Sequence, residues 1–358
     1  MKDFYERSLS RRAVLRGIAA TGVGAALGAF FAADAQRGKR RIDTHHHFCP
    51  PELKQALADY YKNMGVNNWT VENTLNWTVA KTLDDMDKGG VTSAVLSMPA
   101  IPANWFGGDP ATARFSRICN DYAAGLVRDH PGRFGLWASL PMLDVDASLA
   151  EIEHALDELK ADGIGLATAY GDKWPGDPKF KPIFEELNRR KATVFIHPLT
   201  PNCCGNLVPG VLSPVLEVPE DTARAATSLL INGTLAKKKD ITWLFSHAGG
   251  TLPTLAGRIN SFYTGDHPAP DLADWAPDGI MAEFGKLNFD VANAAWPASI
   301  AALRQLVPTS HITFGSDYPY FRSATTAQGL AKLHFTAAEA RAIDYDNAKR
   351  ILPKLKTI

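Results

Sequence analysis

Eight short runs rich in β-branched and aromatic residues recur along this chain, at 41–47, 92–98, 134–140, 163–169, 193–197, 241–247, 287–291 and 311–317. The intervals hold segments such as 147–160, 180–190, 222–237 and 299–306, whose apolar positions return every three or four residues, as on one face of a helix. Strands that are apolar throughout need cover on both faces. Alternation with helices therefore predicts a parallel sheet whose outer face is covered by those helices. Eight βα units in one chain predict a single (β/α)₈ TIM barrel, with an open doubly wound sheet as the competing α/β fold. Against that competitor, no G-x-G-x-x-G turn follows the first run and no G-x-x-x-x-G-K-[ST] occurs anywhere, so dinucleotide and nucleotide-phosphate binding are not signalled. The long interval from Pro50 to Trp77 predicts an insertion after strand 1, lying over the barrel mouth.

Residues 1–35 stand outside this pattern. Ser10-Arg11-Arg12-Ala13-Val14-Leu15-Arg16 precedes a charge-free run from Gly17 to Ala33, and Ala33-Asp34-Ala35 is a small-x-small cleavage pattern. The run is a little short of the roughly 20 residues that span a bilayer, so a cleaved export signal is predicted over 1–35 and the barrel over 36–358. The paired arginines resemble the twin-arginine signal of bacteria, which implies a periplasmic protein, exported already folded and free of the membrane after processing. With 38 Lys+Arg against 38 Asp+Glu the chain has no net charge, hence no electrostatic footprint for nucleic acid or anionic lipid. Four cysteines do not make a disulfide scaffold at this length. Two of them, Cys203 and Cys204, are adjacent; Cα atoms ~3.8 Å apart are closer than disulfide geometry normally allows, so a bridge there is expected to be strained.

Chemistry-bearing side chains collect at the C-terminal ends of the runs, the edge where barrel enzymes keep their active sites. In Asp43-Thr44-His45-His46-His47, residues two apart share a side of the strand, so His45 and His47 face the barrel axis together while His46 faces the helices. Two imidazoles on one side suit a divalent metal. The fifth, sixth and eighth runs end in His197-Pro198, His247-Ala248-Gly249-Gly250 and Gly315-Ser316-Asp317-Tyr318-Pro319, each adding an inward candidate. His130, His154, His267 and His311 lie in helical, loop or strand-starting positions and read as surface or capping residues.

By these residues the chain resembles the amidohydrolase superfamily, in the branch of metal-dependent decarboxylases of aminocarboxymuconate semialdehyde, γ-resorcylate, 5-carboxyvanillate and 6-methylsalicylate. The likeness runs from about Arg41 to Asn347-Ala348. Its further markers are Met86-Asp87 before Gly90-Val91, Leu96-Ser97 followed by Pro99, and Pro253 after the glycine pair. The resemblance implies that His45, His47, His197 and Asp317 hold a single Zn²⁺ or Mn²⁺ and that His247 is an unligated catalytic histidine. Binuclear members commonly carry a carboxylated lysine at the end of the fourth strand; here that end reads Gly165-Leu166-Ala167-Thr168-Ala169-Tyr170, which favours one metal. Lys81-Thr82-Leu83-Asp84-Asp85 lacks the arginine by which the muconate-semialdehyde enzymes grip a carboxylate, while His45-His46-His47-Phe48 with Pro50-Pro51 looks most like the 6-methylsalicylate type. Arg258 matches a family arginine that reaches a neighbouring subunit's active site, which implies a substrate-binding role and a homodimer; the plainer reading is a surface ion pair.

The function implied is non-oxidative decarboxylation of a 2-hydroxybenzoate-like aromatic acid, with Asp317 delivering a proton and His247 orienting or polarising the substrate. The alternative is hydrolysis of a lactone, amide or ester, in which the same metal activates water and Asp317 acts as base. A non-catalytic binding protein gives no reason for a metal site with an open position.

Overall fold

A computed structural model describes residues 40–357 apart from 64, 99–109, 206 and 267. The export signal expected over 1–35, Pro99 and His267 lie outside the described residues. All eight expected strands are present: β1 Arg41–His47, β2 Val91–Ser97, β3 Phe134–Ser139, β4 Gly163–Ala167, β5 Thr193–His197, β6 Thr242–Phe245, β7 Asn288–Asp290 and β8 Ile312–Thr313. They form one sheet in chain order, each neighbouring pair parallel. β8 is short, and the residues just past it complete the closure onto β1. Thr44 N–H donates to the Phe314 carbonyl (3.0 Å), Asp317 N–H to His45 (2.8 Å) and His47 N–H to Tyr318 (2.7 Å). These bonds leave no open sheet edge between the first and last strands, so the doubly wound alternative falls.

Alternation along the strands builds two cores. Ile42, Val95, Trp137, Phe195 and Leu244 point into the barrel and are almost wholly buried. The C-terminal residues Ile351, Leu352 and Leu355 join that cluster, and Thr193, the first residue of β5, donates to the Ile351 carbonyl (2.7 Å), so the chain's end plugs the N-terminal mouth. Strand residues of the opposite parity pack outward against the helices. Arg41 is buried at the start of β1, where Nε donates to Asp344 (2.9 Å) and Nη1 to the Gly89 carbonyl (2.7 Å). A charge this deep is tolerated because carboxylate and carbonyl together replace its water.

One expectation needs correction. The helix expected from 222 begins earlier, as Ser213–Ile231, with Pro219 inside it. Proline gives no N–H to the helix, and the chain is in close tertiary contact at this point: the Pro219 carbonyl accepts Thr251 N–H (3.2 Å), and a Cβ at Gly250 would lie only 2.0 Å from that oxygen. Gly233, at φ 71°, then separates the short helix Thr234–Lys237. Cys203 and Cys204, on the loop after β5, are joined as a disulfide despite their spacing, whereas Cys49 and Cys119 are free and buried. The insertion after β1 forms the helices Pro51–Asn63 and Trp69–Leu75. Asn73 donates to the Pro319 carbonyl (3.1 Å) and Thr74 bonds the Tyr320 hydroxyl (3.1 Å), which sets the second helix against the segment following β8, at the barrel mouth. Among the described residues no helix is long and apolar enough to cross a membrane.

Candidate metal centre

The pairing of β1 with β2 shifts between Asp43 and His46, so His45 and His47, two apart, both reach the axis although Ile42, three residues before His45, also points inward. The Nε2 atoms of the two histidines are 3.2 Å apart; His47 Nε2 is also 3.2 Å from His197 Nε2 and 3.1 Å from Asp317 Oδ1, and His45 Nε2 is 3.3 Å from the same oxygen. All four donor atoms lie within 4.8 Å of one another. The opposite ring nitrogens are committed elsewhere: His47 Nδ1 donates to the Met98 carbonyl (3.0 Å), and His45 Nδ1 lies 2.9 Å from Asp290 Oδ2. With the proton held at Nδ1, each Nε2 presents a lone pair to the group. His46 faces away, bonded through Nδ1 to Asp43 (2.9 Å) and stacked on Tyr318. Asp43 also accepts from the backbones of His45 (3.0 Å) and Ser316 (2.9 Å), tying β1 to the Asp317 turn. Tyr320, anchored by the insertion through Thr74, packs on the His47 ring at 5.5 Å.

The electrostatics suit a cation. Burial holds the His47 imidazole below its ordinary range and that of His197 well below it, so both are neutral donors. At His45 the same burial is outweighed by the carboxylates of Asp290 and Asp317, which push it up to about 10. Burial alone would raise the Asp317 carboxyl, but His45, with His47 and His247, holds it well below the usual carboxylate range. Imidazole nitrogens and an ionised carboxylate are the donor set of Zn²⁺ or Mn²⁺; an ion would take the place of the second proton that the two carboxylates favour on His45, and the residues present fit one such ion.

His247 begins a 3₁₀ turn after β6. Its Nδ1 donates to the Ala292 carbonyl (2.9 Å), leaving Nε2 free, and its ring centroid lies 4.8 Å from that of His45 and 5.7 Å from that of His197. His247 (φ 54°), Ala248 (φ 56°) and Asp317 (φ 65°) all occupy the left-handed region, a costly backbone state for residues with a Cβ that recurs at functional sites. Arg258 is not among the converging residues. It is exposed on the helix Leu252–Thr264, with its guanidinium 4.7 Å from the Phe262 centroid and no acidic partner among the described residues, so the surface ion pair is absent. His154 does sit in such a pair, with Asp121 and Glu158. Sequence reasoning missed Asp290, whose Oδ1 accepts from the His247 (3.0 Å) and Ala292 (2.9 Å) backbones while Oδ2 meets His45. Its signal was present: a carboxylate near the C-terminal end of an apolar run.

Eight parallel strands with three imidazoles and one carboxylate gathered at their C-terminal ends define a barrel of the kind that holds a metal at its catalytic face. The chain belongs to the amidohydrolase family, whose model matches residues 42–354. Among its relatives, decarboxylase yanB of Aspergillus niger is 33% identical over 336 residues, covering 88% of each chain. The 6-methylsalicylic acid decarboxylase acuB of Aspergillus aculeatus is 33% identical over 335 residues, covering 88% of this chain and 97% of that one. A crystallised amidohydrolase II is 26% identical with a TM-score of 0.77, covering 88% and 100% of the two chains. The fold is also shared with a dihydroxybenzoic acid decarboxylase from Polaromonas with bound manganese and the inhibitor 2-nitroresorcinol, at 19% identity and a TM-score of 0.74, covering 88% and 97%.

Proposed function

We propose that the chain is a metal-dependent non-oxidative decarboxylase, a carbon–carbon lyase acting on a 2-hydroxybenzoate-like acid of the 6-methylsalicylate type. The observation that carries this reading is the four-donor group of His45, His47, His197 and Asp317 with His247 at its edge, in a chain one-third identical to a 6-methylsalicylic acid decarboxylase over nearly full length. His45, His47, His197 and Asp317 would hold a divalent ion, Zn²⁺ or Mn²⁺ both being compatible with these donors, and that ion would supply Lewis acidity to the bound acid. Asp317 faces the imidazoles through Oδ1, which leaves Oδ2 for proton transfer. Held ionised, it takes the phenolic proton and passes it to the ring carbon that bears the carboxylate. Aromaticity is lost in that step and restored when the carbon–carbon bond breaks and CO₂ departs. His247, fixed through Nδ1, offers Nε2 to orient or polarise the substrate. Hydrolysis of a lactone, amide or ester would use the same residues, and the experiment that separates the two reactions closes the Discussion.

We read the protein as a homodimer in which Arg258 reaches the substrate of the neighbouring subunit. Supporting this, Arg258 has no acidic partner among the described residues, and Phe262 beside it is 65% exposed. Val215 and Leu216 are exposed on the helix Ser213–Ile231, which packs against the helix carrying Arg258. Light scattering should give the mass of two chains. Phe262→Asp should give monomers, and Arg258→Ala should keep the dimer yet lose on the order of 10²-fold in kcat/KM, the scale of a lost substrate-positioning contact. A fully active monomer would refute the shared site.

Export is proposed on the N-terminal sequence alone. The processed protein should begin near Gln36 in the periplasmic fraction, and replacing Arg11 and Arg12 together by lysine should leave the precursor in the cytoplasm. An intact Met1 on mature, active protein would overturn this.

A further inference from the structure

Asp290 ends β7 completely buried, and its two oxygens serve different masters. Oδ1 accepts the backbone N–H groups of His247 (3.0 Å) and Ala292 (2.9 Å), while Oδ2 lies 2.9 Å from Nδ1 of His45. We propose that Asp290 is a positioning residue that locks His45 in its Nδ1–H tautomer and, through the other oxygen, holds the turn that carries His247.

A neutral imidazole has one N–H, and an ionised carboxylate can only accept. The contact at Oδ2 therefore fixes the His45 proton on Nδ1 and leaves the Nε2 lone pair facing His47 and Asp317. The turn needs equal support: His247 and Ala248 both sit in the left-handed region, which persists only where surrounding bonds over-determine it. The bond from His247 N–H to Asp290 is one of these, and the bond from its Nδ1 to Ala292, whose own N–H also goes to Asp290, is another. One carboxylate thus sets both the tautomer of a metal donor and the placement of the neighbouring histidine. The inference rests on the metal-centre part of the proposed function and not on decarboxylation.

Asp290→Asn tests it, because the substitution nearly keeps the shape. Two backbone donors converge on Oδ1, so the asparagine carbonyl must stay there and its NH₂ must turn to His45. An NH₂ donates; His45 would then accept at Nδ1 and carry its proton on Nε2, the donor position. The Mn²⁺ affinity of Asp290→Asn, measured by chelator competition, should fall about 10–100-fold, the usual effect of losing an outer partner of a ligating histidine. Near-UV dichroism and the Tm of the metal-free protein should stay close to wild type, and excess Mn²⁺ should restore loading. Unchanged affinity in a folded Asp290→Asn protein overturns the proposal. If that variant does not fold, ¹⁵N-histidine spectra of the Zn²⁺-loaded wild type decide: a protonated Nδ1 on His45 upholds the inference and a bare Nδ1 defeats it. Neither measurement uses an organic substrate, so failure of the decarboxylase reading would leave the result standing.

Discussion

Replacing His197 by alanine is expected to give folded protein without its divalent ion and with turnover at background. Elemental analysis of the wild type should find about one ion per chain, because three imidazoles and one carboxylate make one four-donor group. Removing a donor leaves three and opens the site. The Lewis-acid contribution to the barrier is several kcal/mol, so on the order of 10⁴-fold in rate disappears with the ion. His197 is the cleaner choice. Deleting His45 would also strip Asp290 of its ring partner and leave part of a buried carboxylate unmatched, which adds a folding penalty to the loss of metal. His45→Ala should therefore show both lost metal and a lowered Tm, and His197→Ala chiefly the first. His247→Ala should keep the ion and still lose about 10²–10⁴-fold in kcat, the range of a missing proton-handling or polarising group. Two ions per chain, or loss of the ion from His247→Ala, would show that the roles are divided differently.

The strands and the paired histidines of β1 were legible because both rest on short-range periodicity. Apolar runs of strand length mark β1 to β8 wherever the barrel requires cover on both faces, and the period of two separates His45 and His47 from His46 without knowledge of any contact. Each of His197, His247 and Asp317 closes its own run, so one rule about the C-terminal edge found all three. That rule also applied to Asp290, which is followed by Val291 in the run 287–291. Asp290 passed unnoticed because a lone carboxylate has no partner in its own sequence neighbourhood. Its meaning comes from His45, 245 positions away, and from a backbone N–H of His247. Pro219 failed for the same kind of reason. Local propensity ends a helix there, and the contact of Pro219 with Gly250 and Thr251 on the next βα unit is not visible in the local sequence. Arg258 marks the boundary in another way, since its residue type is readable but the role proposed for it lies in a neighbouring subunit.

The fate of one proton separates decarboxylation from hydrolysis, and Asp317 is where the two reactions part. In the decarboxylase reading its carboxyl hands a proton to carbon, so turnover in D₂O should leave one deuterium on the ring at the position the carboxylate left. Hydrolysis protonates oxygen or nitrogen, and the product ring carries no such mark. Substrate geometry gives a second arm of equal weight. Only an ortho hydroxyl sets the phenol oxygen beside the carboxylate, and only there does Asp317 have a phenolic proton to collect. A 2-hydroxybenzoate such as 6-methylsalicylate should therefore react, while the matching 4-hydroxybenzoate and the ortho methyl ether should be slower by on the order of 10³-fold or more, the scale on which lost orientation counts. Asp317→Asn should abolish turnover in either reaction, because it removes the negative charge at the candidate metal centre together with the proton carrier, so that variant cannot choose between them. The label can. Unlabelled rings, with lactones or esters cleaved by the fully loaded protein, would assign Asp317 the role of base and the chain the role of hydrolase.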